Sequence, residues 1–320
     1  MVNSKRARIL SVGTYVPETV VTNKDLEKIL DTTDEWIVNM TGIKSRHLIP
    51  ADQNVPASVL GAKAAEVALK RAGIDPTEID GIVCATFTPD SFFPSTACRI
   101  QALLGCTNAF AFDVSAACAG FVYALTVANG LILSGKNKNI LVIGAEVISK
   151  ALDWTDRTTS ILFGDGAGAV VLQGTSEEDR GILATHLQSD GTLGDILMFP
   201  AWGEKRNMRM KGNEVFKHAV RMMSDASIKV LASAGFSLDE IDLMVPHQAN
   251  IRIINALADH LKFPKEKIVT NLDRYGNTSS ASIPLALDEA WQKGLIKENT
   301  KVLFTALGGG ITAGSVIVNF

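Results

Sequence analysis

Short, unbroken apolar runs, such as GIVCA from Gly81, NILVIGA from Asn139 and KVLFTAL from Lys301, alternate along the chain with longer segments whose apolar positions recur at helical spacing. A strand with one face in water alternates apolar and polar residues. A run with no polar position predicts a strand buried on both faces, so these runs predict sheets covered by helices on either side. AGFVYALTVANGLILSG, which follows Cys118, and IPLALDEAWQKG, which follows a group of serines, predict helices. DEWIVNMTGI predicts a shorter amphipathic helix with Trp36 in its apolar stripe.

The pattern occurs twice. AGIDPTEIDGIVCA starts at Ala72 and AGFSLDEIDLMVPH at Ala234, an offset of 234 − 72 = 162. Ile140 of NILVIGAE and Val302 of KVLFTALG stand 302 − 140 = 162 apart as well. AGAVVLQ from Ala167 and AGSVIVNF from Ala313 differ by 146, which implies a shorter final connection in the second half. Each half opens on a short apolar segment, ARILSVG and RGILATH, and the polar stretch GTSEEDR at 174–180 separates them. The prediction is a duplicated α/β fold with halves 1–174 and 175–320.

Composition narrows the function classes. Of 320 residues, 47% are hydrophobic, enough to fill a core of this size. The formal charge of −3 gives no general attraction to nucleic acid or to anionic membranes. No apolar stretch reaches bilayer-spanning length, and the N-terminal basic residues lack an apolar run behind them, so a cytoplasmic protein is expected. The four cysteines form no C-x-x-C pair and have no histidine at finger-like spacing, so neither a structural metal nor a disulfide framework is expected.

Chemistry enters with DVSAACAGF, 113–121. Cys118 lies where an extended run gives way to a helical one, and the free N–H groups of a helix N-terminus favour a thiolate. Small neighbours leave room for a substrate; a packed core thiol is the alternative reading, and the better one for Cys84, Cys98 and Cys106. Adding 162 to Cys118 reaches 280, inside YGNTSSAS, close to Asn277. VPHQAN places His247 at the C-terminal end of a predicted strand, the edge where open α/β sheets put their sites, while His47, His186 and His260 lack such neighbours. The glycine-rich FGDGAGAVVL and LGGGITAGSVIV are followed by strand-like residues rather than a helix, which excludes a dinucleotide fingerprint. Gly308, Gly309 and Gly310 fit a tight turn whose N–H groups can donate to an oxyanion. Between 202 and 221, Lys205, Arg206, Arg209, Lys211, Lys217 and Arg221 stand against Glu204 and Glu214, either a solvated helix face or a dock for an acidic partner.

DVSAACAGF, FGDGAGA, GNEVFK, VPHQANIRII, YGNTSSASIPLAL and GGGITAGS, in this order, resemble the β-ketoacyl-acyl carrier protein synthase III family of the thiolase superfamily, from about Ile9 to Phe320. The resemblance implies a thiolase-like fold of two duplicated α/β halves in an αβαβα layered arrangement, and a Cys118, His247, Asn277 triad. It implies a condensing enzyme that initiates type II fatty acid biosynthesis: a short acyl-CoA, acetyl-CoA by expectation, acylates Cys118, and decarboxylating malonyl-acyl carrier protein then attacks the acyl group. The Cys118 and Gly309 amides would form the oxyanion hole. Thr32, Trp36, Arg157, Gly212, Phe216, Ala249 and Asn250 would contact CoA, with the adenine between Trp36 and Arg157. Phe93 would close the acyl pocket of a partner in a homodimer. No permanently bound cofactor is implied.

Two positions depart from the family pattern. Arginine is usual in the place of Met40, and a lysine pair is common where this chain has Asp259 and His260. Carrier-protein docking is therefore expected to rest on Arg209, Lys217 and Arg252. A synthase III-like acyltransferase that loads starter units in secondary metabolism is the alternative reading.

Overall fold

The computed structural model describes residues 5–202 and 207–320. Its first sheet comprises β1 (Arg6–Tyr15), β2 (Gly81–Ala85), β3 (Phe110–Val114), β4 (Asn139–Glu146) and β5 (Gly166–Thr175), in the order β1-β5-β4-β2-β3. The second comprises β6 (Gly181–Ser189), β7 (Leu243–Pro246), β8 (Lys301–Gly308) and β9 (Thr312–Asn319), in the order β7-β8-β9-β6. The unbroken apolar runs become β2, β4 and β8, and every residue of β2 and β4 is buried. The glycine-rich segments lead into β5 and β9, strands in both cases, as their β-branched residues require.

Seven helices matter for the site: α1 (Asp34–Thr41), α2 (Ala57–Ala72), α3 (Thr96–Leu104), α4 (Gly120–Leu133), α5 (Gly212–Ala234), α6 (Ile251–Leu261) and α7 (Ser282–Gln292). Helices α2 and α3 cover the outer face of the first sheet, and α5, with α6 packed on it, covers the outer face of the second. Between the sheets lie α4 and α7. A helix in that middle layer has no solvent face, which is why α4 is apolar nearly all round, with Phe121, Val122, Ala124, Leu125, Ala128 and Ile132 fully buried. The result is the αβαβα stack of the thiolase-like fold.

The sequence offset is also the register of the sheets. Gly81 lies opposite Ile140 in the parallel β2–β4 pair and Leu243 opposite Val302 in β7–β8, so both partners shift by 162 (243 − 81 and 302 − 140). In the antiparallel pairs, Ile140 faces Leu172 and Val302 faces Val318, and 318 − 172 = 146. The middle-layer helices start at Gly120 and Ser282, again 282 − 120 = 162. The halves differ at one edge. The first sheet carries β3 beside β2, whereas at the corresponding edge of β7 the described residues supply only an isolated bridge from Met244 to Ile268.

Candidate active site

Cys118 sits in a tight 3-10 turn, Ala117–Ala119, between β3 and α4. Ala117 has φ 46°, a left-handed conformation costing about 1 kcal/mol for a residue with a Cβ, and it reverses the chain so that α4 begins directly behind the sulfur. Gly308, at the end of β8, makes this turn possible. A Cβ there would stand 2.5 Å from Ala116 O and 2.7 Å from Cys118 N, so only glycine lets the second sheet reach the cysteine's amide.

Burial pushes the Cys118 thiol up to about 12. The nearby Ser279 hydroxyl, buried and without a partner in hydrogen-bonding geometry among the described residues, favours the thiolate, as does the cysteine's own amide, but both are outweighed. Desolvation therefore opposes the helix N-terminus expected to lower the pKa.

His247 follows the last residue of β7 and prolongs the strand by donating its backbone N–H to Thr305 O at 2.8 Å. Its ring is 3% exposed, with Nδ1 2.7 Å from Ser282 Oγ on the first turn of α7. Burial pushes the imidazole down to about 3, so it is neutral at physiological pH. The next residue locks the loop. Gln248 is fully buried, donates Nε2 to Pro246 O and Val269 O, and accepts the Asn271 N–H.

Asn277 is held by backbone on both sides, its N–H donating to Leu162 O at 2.8 Å and its carbonyl accepting from Gly164 N–H at 3.1 Å. Gly276 before it has φ 65°, and a Cβ there would meet Leu162 O at 2.8 Å. Asn277 Oδ1 accepts the Ser279 N–H at 2.8 Å. An N–H can only donate, so the side-chain oxygen must face Ser279 and the amide NH2 is left as the free end.

Cys118, His247, Asn277 and Gly309 line one cavity of about 830 Å3. The same walls include Trp36, Gly212, Phe216, Ala249, Asn250 and Arg252, with Phe87, Leu197, Phe199 and Met208 among its apolar surfaces. Trp36, expected in an apolar stripe, is 37% exposed, because α1 turns Ile37 into a core and leaves Trp36 at the cavity mouth. Arg157 does not line the cavity, but its guanidinium lies 5.3 Å from the Trp36 ring centroid and its Nη1 donates to Asp31 O at 2.7 Å. Thr32 lies outside the walls, with its hydroxyl buried and without a hydrogen-bond partner among the described residues. Met40 lines the mouth; its carbonyl accepts from Asn250 Nδ2 and its sulfur lies 3.7 Å from Arg252 Nη1.

Other expected residues lie apart from the cavity. Phe93 is 87% exposed on the chain's surface, beside Phe92, which stacks on Trp202. Arg209 and Lys217 are exposed beyond the walls, and Lys211 pairs with Glu214 at 3.8 Å. Asp259 pairs with Lys265 at 2.7 Å. Glu204, Lys205 and Arg206 lie outside the described residues.

Sequence reasoning missed four supporting groups: Ser282 on His247, the Ser279 amide on Asn277, the buried Glu146 behind Ser280, and Arg46. The Arg46 guanidinium is wholly buried and donates to Asn23 Oδ1 and Ile161 O beside the Asn277 loop. The 162 offset was the available signal for Ser280 and Ser282, since it maps them onto Cys118 and Gly120.

Family models for 3-oxoacyl-[acyl-carrier-protein] synthase III match residues 112–191 and, for its C-terminal part, 231–320. The β-ketoacyl-[acyl-carrier-protein] synthase III of Aquifex aeolicus is 50% identical over 313 residues, 98% of this chain and 99% of that protein. This chain belongs to the β-ketoacyl-acyl carrier protein synthase III family. The synthase III of Xanthomonas campestris is 49% identical over 99% of this chain and the whole of its own length. The crystal structure of the Aquifex aeolicus synthase superimposes with a TM-score of 0.94, at 49% identity, over 98% of this chain and 100% of that one. Members of the synthase III family are acyl-transferring condensing enzymes of type II fatty acid synthesis, and this chain is one of them. Among the described residues, no three His, Cys, Asp or Glu side chains are grouped to hold a metal ion, and no helix is long and apolar enough to cross a membrane.

Proposed function

We propose that Cys118, His247 and Asn277 carry out a decarboxylative Claisen condensation of a short acyl-CoA, acetyl-CoA foremost, with malonyl-acyl carrier protein. The observation that carries this reading is the convergence of a thiol at a helix N-terminus and two neutral, fixed hydrogen-bond donors on a single cavity. The names of the relatives, matched over almost their entire length, favour the fatty-acid reaction over the starter-unit alternative.

In the first half-reaction the Cys118 sulfur attacks the thioester carbonyl. The Cys118 and Gly309 amides receive the oxyanion, the carbon–sulfur bond to CoA breaks, and the thiol proton ends on the departing CoA. In the second, the malonyl carbon–carboxylate bond breaks and CO2 leaves. The electron pair becomes an enolate whose oxygen accepts hydrogen bonds from His247 and Asn277. That carbanion forms a carbon–carbon bond to the acyl carbonyl and expels the Cys118 sulfur as a thiolate, which takes a proton from solvent to restore the thiol. Neutral donors suit the step, because a full positive charge would hold the malonyl carboxylate and oppose its loss.

CoA would lie along Trp36, Gly212, Phe216, Ala249 and Asn250, with Thr32 and Arg157 at the adenine end. Since Arg157 already rests on Trp36, a base enters only by displacing the guanidinium, which its exposure permits. Arg252, Lys217 and Arg209 would receive the acidic carrier protein. Phe93, with Phe92 and Trp202 (68% and 74% exposed), forms an apolar surface that a second copy would cover, placing Phe93 at the partner's acyl pocket. Four free cysteines suit a reducing, cytoplasmic setting.

The test is peptide mass spectrometry after incubation with a panel of short acyl-CoAs, followed by addition of malonyl-acyl carrier protein. An acetyl adduct on Cys118 that is consumed as acetoacetyl-carrier protein forms is the expected result. An adduct that persists until a different acceptor is offered would return the starter-unit reading, and no adduct on Cys118 would overturn the proposed nucleophile.

A further inference from the structure

Imidazole has two ring nitrogens, and a neutral ring carries its proton on only one of them. For His247 to donate into the cavity, that proton must sit on Nε2, so Nδ1 must be bare and something must keep it so. The Ser282 hydroxyl stands 2.7 Å from Nδ1. The same oxygen accepts the backbone N–H of Gln248 at 3.3 Å. An amide N–H cannot accept, so that contact uses a lone pair of the hydroxyl and leaves its single hydrogen to be placed. Among the described residues Ser282 Oγ has no other partner in hydrogen-bonding geometry, and the residue is 1% exposed, so water does not compete.

We propose that Ser282 is a positioning residue: its hydroxyl, oriented by the Gln248 amide, donates to Nδ1 of His247 and thereby holds the imidazole in the Nε2–H tautomer that faces the cavity. The inference rests on the role of His247 given above and adds the group that enforces it. The chain ties each member of the relay to rigid structure. Ser282 opens α7 in the middle layer, Gln248 is locked by three hydrogen bonds, and His247 is pinned to β8 through Thr305. Asn277 needs no such device, because an amide presents its donors and acceptor on fixed atoms, and the Ser279 N–H alone selects which end turns inward. A residue that acts only on the tautomer affects the half-reaction that uses the histidine donor and spares acyl transfer to Cys118, which uses backbone donors.

The experiment compares wild type, Ser282→Ala, Ser282→Thr and His247→Ala in two assays, acetylation of Cys118 by acetyl-CoA and decarboxylation of malonyl-acyl carrier protein, with 15N NMR of histidine-labelled protein to read the tautomer. Wild-type His247 is expected to be Nε2–H. Ser282→Ala is expected to acetylate within about threefold of wild type but to decarboxylate about 10- to 100-fold more slowly, with Nδ1–H signal appearing, and Ser282→Thr, which keeps the hydroxyl, is expected to recover most of the rate. An Nδ1–H tautomer in the wild type overturns the inference even if no Ser282 variant folds. So does a Ser282→Ala protein that decarboxylates normally while His247→Ala does not. If His247→Ala itself decarboxylates at the wild-type rate, the failure belongs to the proposed role of His247.

Discussion

Two turns in this molecule share a left-handed first residue and have opposite surroundings. Ala117–Ala119 leads into α4 and Ser279–Ala281 leads into α7, 279 − 117 = 162 residues apart. The first residue of each is left-handed, with φ 46° at Ala117 and 51° at Ser279. The offset pairs Cys118 with Ser280, His247 with Ala85 (247 − 85 = 162) and Gly308 with Glu146 (308 − 146 = 162). Around the cysteine, Gly308 has no side chain and a cavity opens. Around the serine, Glu146 fills the corresponding space: Ser280 Oγ lies 2.8 Å from Glu146 Oε1 and 2.9 Å from Ala85 O, and both residues are buried. A turn that presents a side chain at a helix N-terminus is therefore not enough to make a site. The residue facing it decides whether a substrate can reach it.

The largest effect that would sharpen this contrast is on acyl transfer. Cys118→Ala is expected to lose Cys118-dependent acetylation and condensation by at least about 1,000-fold, and the double variant Cys118→Ala, Ser280→Cys is expected not to recover an acetyl adduct, read by peptide mass spectrometry. An adduct on the new cysteine would break the comparison, because it would show that Glu146 does not close the second turn. Next comes Gly308→Ala. Its Cβ must displace either β8 or the Cys118 amide, so acetylation should fall about 10- to 100-fold, with a smaller change in the unfolding midpoint.

Glu146→Ala tests the filled side. Its carboxylate accepts from the hydroxyls of Ser280, Thr86 and Thr88 and from the amides of Phe87 and Thr88, and removal leaves these donors around a void. A loss of about 3 kcal/mol is expected in denaturant titration. The smallest effect is a pH slope. Burial pushes the Glu146 carboxyl up to about 7, although its hydrogen-bond donors oppose the rise. The folded state then binds more protons than the unfolded chain between its ordinary carboxylate value and that figure. This contribution to stability is complete below the ordinary value and is lost as pH rises through about 7, by at most about 1.4 kcal/mol per pH unit. Glu146→Gln, which cannot titrate, should unfold with a shallower pH dependence than wild type across pH 5–7.

The legible part of the candidate site was the part carried by local pattern. Cys118 announced itself by a strand-to-helix change, His247 by a strand end and Asn277 by a glycine-flanked turn, and the offset of 162 tied the first to the last. Local pattern alone left Trp36 ambiguous, because an amphipathic stripe shows that a helix has two faces but not which of its apolar residues meets a core and which the mouth of a cavity. Arg46 gave no signal at all. An arginine next to a histidine reads as surface, yet it is fully buried because Val21 O and Asn23 Oδ1 from one stretch and Ile161 O from another, far along the chain, converge on it.

By itself the sequence determined the buried strands, the repeat offset and the family, because apolar patterning and repeat spacing are written along the chain and survive without coordinates. Which buried serine meets His247, what plugs the second turn, and how a desolvated thiol comes to lie against the glycine end of β8 were decided only by the tertiary structure. Those contacts join Ser282 to His247, Glu146 to Ser280 and Gly308 to Cys118 across 35, 134 and 308 − 118 = 190 residues of chain, and hydrogen bonding and desolvation act over ångströms in space, whatever the distance along the chain.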